Sequence, residues 1–183
     1  MRSRWQRYQR EALEKDMAPA AYATRARRRV IAGLAAFSVA LLWVDAAVSW
    51  FLAPSDLAVT INFVLLAIML VIYLPAVTLL NVASRGTAAL PARMLDERQA
   101  AERLRAVATG HRITFGLIGL ALAAVVAGTW GEGDTARIPA AAVFILLLAI
   151  WLTHLVMPLI IVGWRMPDPV PDEDDERDEH DDA

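Results

Sequence analysis

The 183-residue chain contains no cysteine, which removes disulfides, thiolate metal sites and thiol nucleophiles together. Lysine is nearly missing as well: Lys15 stands alone among 18 basic residues, and the rest are arginines. Histidine is confined to His111, His154 and His180. The sequence has no Gly-rich phosphate loop, no nucleophile elbow and no HExxH or CxxC pair. The common sequence marks of nucleotide-binding enzymes, serine hydrolases and zinc proteins are therefore missing. Acidic residues are plentiful, yet Asp45 is the one acid inside a long apolar run.

What the chain does have is apolar length. Hydrophobic residues make up 57% of it and the mean hydropathy is +0.43, too high for a soluble domain of this size. Four runs stand out: Val30–Leu52, Leu57–Val82, Ile113–Trp130 and Ile138–Trp164. A hydrocarbon core of about 30 Å takes roughly 20 helical residues to cross, and each run is close to or above that length. Inside the core each segment must satisfy its own backbone hydrogen bonds, so each run reads as a helix. The expectation is an all-α integral membrane protein with four transmembrane helices, paired as two antiparallel hairpins. On this reading the chain divides into a basic N-terminal segment (1–29), a first hairpin (30–82), a helical loop (83–112), a second hairpin (113–164) and an acidic tail (165–183).

Basic residues set the expected orientation. Nine precede the first run, six lie between the second and third, and Arg165 and Arg177 follow the fourth. Only Arg137 falls in the other set of loops, a split of 17 to 1. Positively charged loops stay in the cytoplasm, which places both termini and the central loop there. A cleavable signal peptide fits poorly, since the whole segment Met1–Arg29 precedes a run already too long for a signal core. The preference for Arg over Lys, with abundant Ala, suggests a bacterium of high GC content and hence its plasma membrane.

Laying Arg29 on Arg112 in the same chain also lays Gly33-Leu34 on Gly116-Leu117, Ala40 on Ala123 and Pro75 on Pro158. If this is a true repeat, the two halves share an orientation and are related by a pseudo-two-fold axis along the membrane normal. Chance matching of apolar sequences accounts for the alignment equally well. On either view, runs two and four each carry a proline, which frees a backbone carbonyl and kinks a helix.

Polar residues within the runs are the candidate site. Ser38, Asp45 and Ser49 are spaced to share one helix face. Asp45 lies about 22 Å along the helix from Val30, and Asn62, on the returning run, falls at a similar depth. An acid inside a membrane is costly, about 2.5–3.5 kcal/mol on insertion scales, and is a functional site by default. Asp45, Ser49 and Asn62 could form a proton or cation site. The structural alternative, favoured here because no second intramembrane acid completes a relay, is an interhelical hydrogen bond from Asp45 to Asn62. His154 is the one histidine well inside a run. It lies about 15 Å from the Trp164 end, whereas His111 sits at the mouth of the third run. A haem shared by the two is not expected, because both ligands must lie at one depth. A packed, hydrogen-bonded His154 is the expectation, with no cofactor and no metal. Small residues on run three (Gly116, Gly119, Ala123, Ala127) and run one (Ala32, Ala36, Ala40) are expected to pack inside the bundle.

From Arg2 to Arg29 nine basic residues face three acids, a net charge of +6. With Trp5, Tyr8 and Ala12 on one face of a helix over Arg4–Asp16, the segment suits anionic lipid headgroups. A nucleic-acid role is the weaker reading, since a basic stretch beside a first span usually serves topology. In the loop, Leu95-Asp96-Glu97-Arg98-Gln99 between two hairpins resembles a segment of uncharacterised small bacterial polytopic membrane proteins. The resemblance is confined to the central loop and implies a multi-pass membrane protein without an assigned activity. The tail carries ten acids and two arginines, with no large apolar residue after Val170, and reads as solvated and disordered.

These features favour a non-enzymatic membrane protein that acts as a subunit, scaffold or regulator through its cytoplasmic segments, alone, as a homo-oligomer or with a membrane-protein partner. The alternative is a small proton- or cation-coupled transporter using Asp45. Four helices with one acid on the first resemble, in form, the small multidrug exporters, although those lack the long charged termini. Topology is directly testable: reporter fusions at Met1, within the loop 83–112 and at Ala183 should all read cytoplasmic. A periplasmic signal from the central loop would overturn the orientation.

Overall fold

A computed structural model of the chain describes residues 22–84, 97–130 and 138–166. The basic stretch before Tyr22, the Leu95-Asp96 end of the loop motif, the loop Gly131–Arg137 and the acidic tail lie outside the described residues. Within those described, the regular structure is helical: α1 (Arg25–Leu52), α2 (Asp56–Ala83), α3 (Glu97–Thr129) and α4 (Ala140–Arg165). All four are long and apolar enough to cross a membrane.

The helix boundaries follow from local chemistry. Thr24, in extended conformation, caps α1 by accepting from the Arg27 amide, and Ser55 caps α2 by accepting from the Ala58 amide. Asp56 in the first turn of α2 and Arg165 in the last turn of α4 suit the helix dipole. Pro139 precedes the first turn of α4, where a proline costs no hydrogen bond. The largest departure from the apolar runs is α3, which begins at Glu97, several turns ahead of Ile113. Its first half is charged and its second apolar, so one continuous helix joins the central loop to the membrane segment.

The interior holds small residues and the periphery large ones. Ala32, Ala35, Ser38, Ser49, Ala58, Ala76, Ala142 and Ala149 are all buried, whereas Phe51, Phe63, Val71, Phe115 and Trp130 are strongly exposed. In water that pattern would be unfavourable. In lipid, helices gain nothing by hiding Leu or Phe from an equally apolar solvent, and they associate where small side chains permit close approach.

α1 packs extensively on both α2 and α4, and α3 packs on α4. The interface of α2 with α4 is small, and α2 and α3 share no comparable surface. A two-fold relation between the halves would pair α2 with α3 as closely as α1 with α4, and this packing does not. The main core gathers Ile31, Ala32 and Ala35 of α1, Ala76 and Leu80 of α2, and Val156, Leu159 and Ile160 of α4. A second cluster joins Leu42, Met69 and Ala149, and a third joins Ala106 of α3 to Ile161 and Val162 of α4. The N-terminal part of α1 thus meets the C-terminal parts of α2 and α4. At that end Arg29 lies over the Trp164 ring, 5.5 Å from its centroid, and its Nε donates to the Trp164 carbonyl at 3.4 Å.

Gly163 lies where α4 packs against both α1 and α2. A Cβ built there would overlap Leu80 Cδ2 and reach Ala32 Cβ at 3.9 Å. Leu80 is fully buried and has no free volume to move into. Gly163→Ala should therefore lower the stability of the detergent-solubilised protein by about 1–3 kcal/mol, as overpacking does. Adding Leu80→Ala should recover part of that loss, although Leu80→Ala alone is destabilising. Strict additivity of the two in thermal unfolding would contradict the contact.

Candidate functional site

Three of the four expected polar residues come together between α1 and α2. Asp45 and Ser49 are one turn apart on α1 and both are wholly buried. Opposite them the Asn62 amide takes the orientation its neighbours require. Its nitrogen donates to Asp45 Oδ1 at 2.7 Å and to the Ala58 carbonyl at 3.1 Å, while its oxygen accepts from Ser49 Oγ at 3.0 Å. Asn62 therefore ties α2 to two successive turns of α1. Ser38, two turns further along the same stripe, donates to its own helix at Ala35 O (2.8 Å).

One atom of the cluster is left over. Asp45 Oδ2 is buried and has no hydrogen-bond partner among the described residues. An unpaired buried acceptor is expensive in any low-dielectric surrounding, so the cluster is a strong link between helices with one unsatisfied corner.

His154 is elsewhere and differs from expectation in two respects. It is exposed, and neither it nor His111 has a hydrogen-bond partner among the described residues. The two rings also meet edge to face, with centroids 6.2 Å apart. Depth counted from Trp164 and from the start of the third run set these residues apart. That count assumed the two helices end at one level. α3 instead starts at Glu97, and Ala106 packs beside Ile161 and Val162, so the last turns of α4 run alongside the charged half of α3 and His111 rises to the level of His154. The crossing is close because Gly110 has no side chain: a Cβ there would lie 3.4 Å from Pro158 Cδ. Pro158 in turn has no amide hydrogen for the His154 carbonyl one turn earlier. A glycine next to His111 and a proline one turn after His154 were signals of this meeting.

Around the pair lies a cleft of about 230 Å³ lined by Arg103, Ala106, Val107, His111, His154, Leu155, Pro158 and Val162. Two imidazoles alone make an incomplete metal site, and no cluster of three metal-ligating side chains occurs among the described residues. Separately, Trp43 Nε1 donates to Thr153 Oγ1 at 3.1 Å, a bond between α1 and α4 that the sequence pattern did not suggest.

The small residues of α3 also depart from expectation. The stripe Ala106, Gly110, Thr114 is buried against α4, whereas Gly116 and Gly119 have nothing within 4 Å of a built Cβ. Gly116 lies about 200° around the helix from Thr114, so this face turns away from the bundle.

Fold and site together describe a multi-pass helical membrane protein whose interior polar groups bridge helices. No family model, curated protein or solved structure matches the chain.

The Asn62 bridge yields a graded expectation. Asp45→Leu removes the acceptor facing the Asn62 nitrogen and should cost about 1 kcal/mol in detergent unfolding, typical of interhelical bonds in membranes. Asp45→Asn removes the charge, keeps a polar group and should leave stability level or slightly higher. If Asp45→Leu is as stable as wild type, the bridge carries no weight.

Proposed function

We propose that the protein is a non-enzymatic subunit, scaffold or regulator in the bacterial plasma membrane, working through its cytoplasmic segments. Its termini and central loop face the cytoplasm, its spans form two antiparallel hairpins, and the basic segment before α1 rests on anionic headgroups. The orientation follows from the 17-to-1 distribution of basic residues. The observation that carries the functional reading is α3. It is anchored along one stripe to α4 and touches α1 only near its end, where Gly128 faces Trp50. Only 6% of its most apolar window is buried, against 44% for α1 and for α4. The rest of its surface, including Gly116, Gly119, Ala123 and Ala127, is open to lipid or to another helix with matching small residues. Because the same helix begins at Glu97, a contact made in the membrane is mechanically continuous with the charged segment of the central loop.

A second reading rests on the unsatisfied Asp45 Oδ2. A small proton- or cation-coupled transporter would use such an oxygen to receive its ion, with Ser49 and Asn62 beside it. The two readings separate cleanly. The subunit reading expects no pH-gradient-driven flux in proteoliposomes, and expects Gly116→Leu/Gly119→Leu to abolish self-association or co-purification of a membrane partner while thermal stability is kept. Flux in the wild type that disappears in Asp45→Asn, an amide that cannot titrate, would replace it with the transporter.

A further inference from the structure

Among the described residues, the cleft between α3 and α4 is where cation-capable side chains of separate helices converge on open volume. Its basic members are Arg103 and His111 from α3 and His154 from α4, and the remainder of its lining is apolar. From these observations we infer that the cleft binds the phosphate of an anionic phospholipid, with Arg103 and the two histidines as its donors. The inference rests on the chain spanning a membrane and is independent of whether it acts as a subunit or a transporter.

The chemistry suits that ligand and argues against a bare cation. Arg103 carries a permanent positive charge and a planar fork of donors that matches phosphate oxygens. Each neutral imidazole presents one N–H donor, and neither ring spends it on the described residues. Both histidines are exposed, so the donors are open to the membrane rather than sealed in the core. The volume, about 230 Å³, is several times the roughly 30 Å³ share of one water, which leaves room for a phosphate and the glycerol attached to it.

On α3 the site lies at headgroup level, although on α4 His154 stands about 15 Å in from the Trp164 end. Arg103 and His111 are about 12 Å apart along α3, both on its charged side. Arg112 follows immediately, and the apolar run begins at Ile113. Past the histidines, on the membrane side, both helices expose large apolar side chains, Phe115 and Ile118 on α3 and Leu147 and Trp151 on α4. A phospholipid held by its phosphate at Arg103, His111 and His154 would lay its acyl chains along that surface. Basic pockets between transmembrane helices are a recognised setting for anionic lipid headgroups. The close crossing at Gly110 and Pro158 keeps the two histidine-bearing turns side by side. The basic segment before α1 attracts anionic lipid by charge alone and is a separate feature.

The test uses the full chain, purified in mild detergent, depleted of lipid and titrated with phosphatidylglycerol, phosphatidylcholine or inorganic phosphate. Bound lipid is counted by native mass spectrometry and stability is read by thermal unfolding. Wild type should retain phosphatidylglycerol in preference to phosphatidylcholine and gain stability from it. Arg103→Gln should lower phosphatidylglycerol retention about fivefold, the weight of one basic residue near a lipid surface, and His111→Gln/His154→Gln should do likewise. Arg103→Lys, which keeps the charge but not the fork, should bind between wild type and the glutamine variant. An unchanged melting temperature of the lipid-free variants excludes misfolding. All variants leave the basic N-terminal segment intact. Equal retention of both lipids, or glutamine variants that bind phosphatidylglycerol as wild type does, would overturn the inference. A stability gain from inorganic phosphate equal to that from the lipid would overturn the lipid assignment.

Discussion

The structure depends on a single constraint, that helices in lipid must be held together by something other than the hydrophobic effect. α1 meets it with one stripe of small and polar residues, in which Ala32, Ala35, Ser38, Leu42, Asp45, Ala46 and Ser49 are all buried. Close approach along this stripe supplies dispersion contacts, and Asp45 and Ser49 add hydrogen bonds to Asn62. The same helix uses Trp43 to reach Thr153 and Arg29 to reach Trp164. α1 is thus the common partner of α2 and α4, and removing its small stripe would leave the other helices with little reason to associate.

This constraint also explains why α3 is peripheral. It offers α4 a short stripe of Ala106, Gly110 and Thr114, and it makes no extended contact with α2. Gly116, Gly119, Ala123 and Ala127 point outward, so a sequence feature expected to serve internal packing is available to something outside the bundle. The proposed roles divide along the same line: α1, α2 and α4 form the stable body, and α3 carries the open membrane face, the charged extension and one wall of the basic cleft.

Much of the fold was legible because helix length and apolar content are direct consequences of bilayer thickness. The ends of α1, α2 and α4 fall within a few residues of the apolar runs, since Thr24, Ser55 and Pro139 mark them chemically. The meeting of Asp45, Ser49 and Asn62 was legible for a related reason: rise per residue fixes depth when two helices share a short connection. The meeting of His111 and His154 was not: the loop 83–112 reads as helical, in keeping with an α3 that starts at Glu97, but nothing in its sequence sets the level at which that helix meets α4. Which helix pairs touch was equally hidden. The alignment of Arg29 with Arg112 and of Pro75 with Pro158 suggested two equivalent halves, and side-chain size at Gly163, Leu80 and Gly110, rather than hydropathy, decides the crossings.

α1 is packed on both α2 and α4, while α2 and α3 stay apart. The lack of native cysteine makes cysteine cross-linking clean. Cysteines in place of Trp43 and Thr153, which share a hydrogen bond across α1 and α4, should be bridged readily in native membranes by a short bis-methanethiosulfonate linker. The space left by the indole is too wide for a direct disulfide. A pair at Val71 on α2 and Leu120 on α3, both exposed, should not cross-link within one chain. Efficient intramolecular trapping of Val71→Cys with Leu120→Cys, and little of Trp43→Cys with Thr153→Cys, would contradict this architecture.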